Sequence, residues 1–148
     1  MKKILLLCGL TLITSNSFAN SNCNIYYKGN SQITTQIKKD GFNINQNNYN
    51  KLCNELKKNG AGLVLTGMTQ ISPYQSSASI SISLYSLNSN QNAMTYQTSD
   101  WIGYEQERTT NAANKAIYDL TMSALDELAT NNQLLNKLIS NLKEITKN

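Results

Sequence analysis

The chain contains no histidine. That removes the commonest general base at neutral pH and the commonest metal ligand, so serine triads and the usual zinc sites lack a required member. Charge is scarce, at 15% of 148 residues, and no block of basic residues occurs. Lys38-Lys39 and Lys57-Lys58 are isolated pairs that read as solvated helix faces and ends. The formal net charge of +4 falls to +2 without Lys2 and Lys3, a balance that says little about nucleic acid or anionic lipid, and no nucleic-acid partner is expected. There is one proline, Pro73, which marks a turn, and one tryptophan, Trp101. Soluble character comes from amides and hydroxyls, asparagine above all.

Long apolar runs are absent but for one, at the N-terminus. Met1-Lys2-Lys3 is a positive start, Ile4 to Ile13 is apolar, and Ser17-Phe18-Ala19 offers small residues three and one before a cut after Ala19. This pattern predicts a secretory signal peptide over 1–19, too short for a permanent span, and one α/β domain over 20–148. The mature chain is expected in the periplasm or secreted. Neither Cys8 nor Cys23 sits in a lipidation motif: Asn20-Ser21-Asn22 is polar where an apolar and small residues are needed, and a cut at Cys8 leaves almost no apolar segment.

Cys23 and Cys53 survive removal of the leader. In an oxidising compartment they form one intramolecular bridge, two free thiols or an intermolecular bridge, and the first is expected. It closes a loop of about thirty residues, worth roughly 3 kcal/mol in the chain-entropy account. The strands are expected to lie outside that loop, so its loss should free the tail up to about Gly29 without unfolding the sheet.

Patterning points to an α+β fold: a two-layer sandwich with an antiparallel sheet of three to four strands packed against helices. Asn20 to Asn30 reads as a polar tail tethered through Cys23, with a short strand at Ile25-Tyr26-Tyr27 as an option. Ser31 to Asp40 leans to a short helix, with Ile33 and Ile37 four apart, Ser31 as cap and Gly41 beyond its end, against the strand-like alternation of Ile33, Thr35 and Ile37. Asn45 to Asn59 is a helix capped by Asn45, with Tyr49, Leu52, Cys53 and Leu56 on one stripe. Leu63 to Ile71 and Ala78 to Leu84 are strands, the second alternating Ala78, Ile80, Ile82 and Leu84 against Ser79, Ser81 and Ser83. Asn88 to Asn92 is a turn, and Ala93 to Ile102 a third strand with Met94 and Tyr96 on one face. Thr110 caps a helix with Ala113, Ile117, Leu120, Ala124 and Leu128 on its stripe. A last helix follows Thr130 to Asn132, its stripe formed by Leu134, Leu135, Leu138, Ile139, Leu142 and Ile145. Packing in the core is expected for that stripe, ahead of docking to a partner or a membrane.

Chemistry-bearing residues are few, and no enzyme is expected: no catalytic residue, metal ligand or cofactor site is assigned. Asp100-Trp101-Ile102-Gly103-Tyr104-Glu105-Gln106-Glu107-Arg108 is the one cluster of interest. Trp101, Tyr104, Glu105 and Arg108 form a candidate partner surface, since aromatic residues and Arg are enriched at interface centres. The competing structural reading has Trp101 closing the core edge, with Glu105 and Glu107 beside a helix N-terminus. Asp100 and Glu105 as a glycosidase pair lack any cleft around them. Ser76-Ser77-Ala78-Ser79 has no base to activate it and reads as turn and strand.

From Leu56 to Leu128 a helix leads into Gly60-Ala61-Gly62-Leu63-Val64-Leu65-Thr66-Gly67, then a strand ending Ser83-Leu84-Tyr85-Ser86, a third strand and a long helix. This resembles the small α/β domain at the N-terminus of TolB, shared in outline with envelope proteins of the CsgG and LpoB type. There a strand of the form G-A-x-x-V-x-x-G is followed by a hairpin containing L-Y-D; Ser86 stands here in place of the Asp. The resemblance implies an envelope protein-interaction domain without enzymatic activity and transfers no functional residue. The function expected is an exported, non-catalytic binding module for an envelope or secreted protein. The alternative is a small secreted inhibitor of a hydrolase such as lysozyme, inserting the loops Ser72 to Ser77 and Leu87 to Asn92.

Overall fold

The computed structural model describes residues 23–88, 93–95 and 98–147. The expected leader 1–19, all of the expected turn 88–92 but Asn88, and Tyr96 lie outside the described residues. Eight elements follow in order: β1 (Tyr27–Gly29), α1 (Ser31–Asp40), α2 (Gln46–Lys58), β2 (Ala61–Ile71), β3 (Ser76–Ser86), β4 (Ser99–Glu105), α3 (Thr110–Thr130) and α4 (Asn132–Ile145). The strands form one sheet in the order β1-β2-β3-β4. Helices cover one face of it, which makes the α+β two-layer architecture.

The sheet is mixed rather than wholly antiparallel, because β1 pairs parallel to β2, Lys28 opposite Val64. The polar tail therefore carries more structure than its composition suggests. Ile25 and Cys23 are buried, and the Tyr49 hydroxyl donates to the Cys23 carbonyl at 3.2 Å. β1 also lies between Cys23 and Cys53, so the expectation that every strand falls outside the crosslinked loop is corrected. The bridge itself is present, with the two Cα atoms 6.0 Å apart.

Residues 31–40 are helical, and Ile33 and Ile37 are its buried pair. Gly41 follows at φ 75°, a left-handed conformation that glycine adopts without a Cβ penalty. Ser31 is the first helical residue, not the cap; Asn30 holds that position without a side-chain cap bond. Asn45 caps α2, its side chain accepting from the Asn47 N–H at 2.9 Å. The cap of α3 is Thr109, one residue before the expected Thr110; its hydroxyl accepts from the Ala112 N–H. Asn131 both ends α3 and caps α4.

β2 and β3 make a long hairpin paired from Ala61–Ser86 to Ile71–Ser76. β3 alternates as its sequence demands: Ala78, Ile80, Ile82 and Leu84 are buried beneath the helices. The third expected strand is displaced. β4 runs Ser99–Glu105 and shares 99–102 with the expected strand; among the described residues before it, Met94 makes an isolated bridge to Tyr85. Two-sided burial makes α3 the central helix, with eleven buried residues against β2, β3, β4 and its sister helices. α4 buries Leu135, Leu138, Ile139 and Leu142 in the same core, so its stripe is structural. No helix among the described residues is long and apolar enough to cross a membrane.

Candidate interaction surface

The two faces of the sheet differ in kind. On β2, odd positions Leu63 and Leu65 turn into the core, so Val64, Thr66, Met68 and Gln70 turn out. On β3 the serines 77, 79, 81 and 83 turn out. On β4, Asp100, Ile102 and Tyr104 turn out while Trp101 and Gly103 face α3. Register then assembles rows across the open face: Met68, Ser79 and Ile102 stand side by side, and so do Gln70, Ser77 and Tyr104. A shallow trough of about 380 Å³ follows the serines between these walls.

Large apolar side chains gather at the hairpin end of this face. Met68 is 72% exposed, Ile102 65%, Tyr104 64% and Tyr74, at the tip, 88%. The tip is held stiff: the Ser72 hydroxyl donates to the Gln75 carbonyl and accepts from the Tyr74 and Gln75 N–H groups. The Arg108 guanidinium reaches back to the Pro73 carbonyl. The Ser76 hydroxyl, fully buried, donates to the Glu107 carbonyl at 2.6 Å and ties the hairpin to the segment before α3.

The opposite end of the face carries a different device. The Tyr85 ring lies over Gly62, and the Lys28 ammonium stands 4.2 Å from its centroid. Burial first, then the neighbouring Tyr26, pushes the Tyr85 phenol above its ordinary pKa.

Of the four residues expected to form a partner surface, only Tyr104 stands on the open face. Trp101 is half-buried on the helix side, its indole N–H donating to the Glu127 carboxylate at 2.7 Å. Arg108 is committed to the tip, and Glu105 ends β4 exposed on the helix side, near enough to raise the pKa of Lys115 after the dominant Asp119 contact. Strand alternation turns Trp101 and Glu105 away from Tyr104. Met68 and Ile102 lie outside the expected surface, although the phase of Leu63 and Leu65 already turns Met68 outward, while Tyr74 belongs to the expected inserting loop Ser72 to Ser77.

Asp100 and Glu105 point to opposite faces of β4, so they form no carboxylate pair. Among the described residues no cluster of three or more Cys, Asp or Glu gathers as a metal site. A cavity of about 250 Å³ beside Cys23, Tyr26, Leu56, Lys57 and Leu87 has no carboxylate in its lining. Comparison with protein-family models, with characterised proteins and with solved structures returns no match.

Proposed function

We propose that the chain is an exported, non-catalytic binding module that engages a protein partner in the cell envelope through the hairpin end of its sheet. One observation carries the reading: Met68, Ile102 and Tyr104 expose their apolar surface along one trough, and Tyr74 stands exposed on the hairpin tip beyond it. Scattered exposed hydrophobics need no explanation, but aromatic and Met side chains at one end of a sheet have the composition of an interface centre. The N-terminal leader pattern and the Cys23–Cys53 bridge support an oxidising compartment outside the inner membrane. The resemblance of the sequence from Leu56 to Leu128 to the TolB, CsgG and LpoB type of domain agrees with an envelope role. The mature protein, immobilised and exposed to envelope extract, should retain a specific protein that Tyr74→Ser and Tyr104→Ser variants release. Equal retention by wild type and variants would refute the surface, and repeated recovery of nothing would refute the module.

A second reading, inhibition of a secreted or envelope hydrolase such as lysozyme, draws on the tip alone. Tyr74 projects from a turn whose backbone is locked by Ser72 and Arg108, the preorganisation an inserting loop needs. Muramidases and proteases assayed with excess protein decide it; rates unchanged throughout, or inhibition unaffected by Tyr74→Ala, remove it.

A further inference from the structure

Beyond the hairpin tip, the open face of the sheet has its own complementarity, and we infer that its occupant is a second copy of this chain. The inference rests on the reading of that face as an interaction surface. Among the described residues only two charged side chains stand on it, Lys28 on β1 and Asp100 on β4. They have opposite sign and occupy the two edges of the sheet. Their levels nearly coincide: Lys28 is in register with Val64, and Asp100 with Ser81 and so with Thr66, two residues further along β2. That offset is about 7 Å along the strand. Neither has an ion-pair partner among the described residues.

A two-fold axis lying between the two faces, parallel to the strands and midway between β2 and β3, exchanges the edges. It lays β1 of one copy over β4 of the other and β2 over β3. Lys28 then faces Asp100 of the other copy, twice by symmetry. Sheets packed face to face stand about 10 Å apart, a gap that an extended lysine and an aspartate bridge even with the offset once the Lys28 ammonium swings off the Tyr85 ring toward the level of Thr66. The same rotation sets Met68 over Ser79 and Gln70 over Ser77, because each pair shares a row. Long side chains of one copy thus enter the serine trough of the other. Ile102 and Tyr104 descend beyond Met68 and Gln70, where β1 has already ended at the level of Leu65.

The footprint is that of a weak dimer. Strands of three, eleven, eleven and seven residues, about 4.8 Å apart with about 3.4 Å per residue, cover roughly 500 Å² per copy, or about 1,000 Å² in total, the low end for a specific interface. Since the axis runs along the strands, both hairpin tips point the same way. Each dimer then presents two copies of Tyr74 at one end, free for a further partner.

Sedimentation equilibrium of the mature, disulfide-bonded protein tests this, with circular dichroism confirming that each variant is folded. The wild type should dimerise. Lys28→Asp and Asp100→Lys should each weaken dimerisation about tenfold or more, since like charges then meet twice. An equimolar mixture of the two single variants should recover near wild-type affinity as a heterodimer, because each substitution restores attraction across the axis. Met68→Glu should dissociate the dimer and be rescued by neither. A monomeric wild type, a dimer indifferent to these substitutions, or a mixture that recovers nothing overturns the inference. If the monomeric protein still captures an envelope protein through Tyr74 and Tyr104, only the second copy is refuted and the binding module stands.

Discussion

Trp101 and Glu127 are joined across the edge of the sheet, the indole N–H donating to the carboxylate at 2.7 Å. The bond fixes the direction of the chain's one tryptophan: toward α3, opposite to Tyr104 three residues on. It is solvent-exposed, so its worth is modest. Glu127→Gln keeps an acceptor and should cost less than about 1 kcal/mol, whereas Glu127→Leu removes it and should cost about 1 kcal/mol. Both should change the fluorescence of Trp101, which reports alone because no other tryptophan competes. Unchanged emission in Glu127→Leu would mean that the indole is free of Glu127 in solution.

Legibility in the sequence tracked how one-sided each segment is. β3 alternates serine and aliphatic residues and shows its phase directly; α2 and α4 carry clean stripes, and the α2 cap Asn45 stands where the sequence puts it. β4 has large residues on both faces, Trp101 within and Ile102 and Tyr104 without, so period two leaves no trace and its bounds slipped by several residues. β1 is three residues long and is held by partners remote in sequence, Leu63 to Leu65, which no local pattern reveals. The interaction surface needed register as well as phase. Met68 and Ile102 are neighbours only through Ser79 between them.

Two glycines in the sheet tolerate a methyl group to different degrees. A Cβ on Gly29 would run into the carbonyl of Leu65, the backbone of the adjacent strand. A Cβ on Gly62 would meet the Tyr85 ring, the end of a side chain free to tilt. Gly29→Ala should therefore cost about 2–4 kcal/mol by prising β1 from β2, and Gly62→Ala only about 1 kcal/mol. Urea unfolding measures both, and the reverse order would contradict the close approach of β1.

The Tyr118 hydroxyl donates to the Gly41 carbonyl at 3.0 Å and ties α3 to the end of α1. Burial, then the nearby charge of Asp40, raises its pKa above the ordinary value near 10. The folded state thus prefers the neutral phenol. Its contribution is fully present below the unfolded pKa and is lost as pH rises through the higher folded one. Stability should stay level up to about pH 9 and then decline, with Tyr85 shifting in the same direction. Tyr118→Phe should lower stability at neutral pH by about 1 kcal/mol and flatten the alkaline decline. A variant with the wild-type decline would assign it to other groups.

The Cys23–Cys53 bridge anchors the start of the described chain to α2, with Cys53 almost wholly buried on that helix's apolar stripe. Denatured, unreduced mature protein should show no reactive thiol; two per chain would refute the bridge. Cys23→Ser should lower stability by about 2–4 kcal/mol through the freed loop. The tail will not simply detach, because Ile25 is buried and its N–H approaches the Tyr49 hydroxyl at 3.5 Å. β1 lies within the crosslinked loop and pairs with β2, so its amides carry the first signs of release. The Leu63 N–H, bonded to the Tyr26 carbonyl at 2.9 Å, and the Asn30 N–H, bonded to the Leu65 carbonyl, should exchange faster in Cys23→Ser. Amides pairing β2 with β3 belong to a hairpin wholly outside the loop and should change only with global stability. Equal acceleration across β3 beyond that global change would show that the disulfide supports the entire sheet rather than its edge.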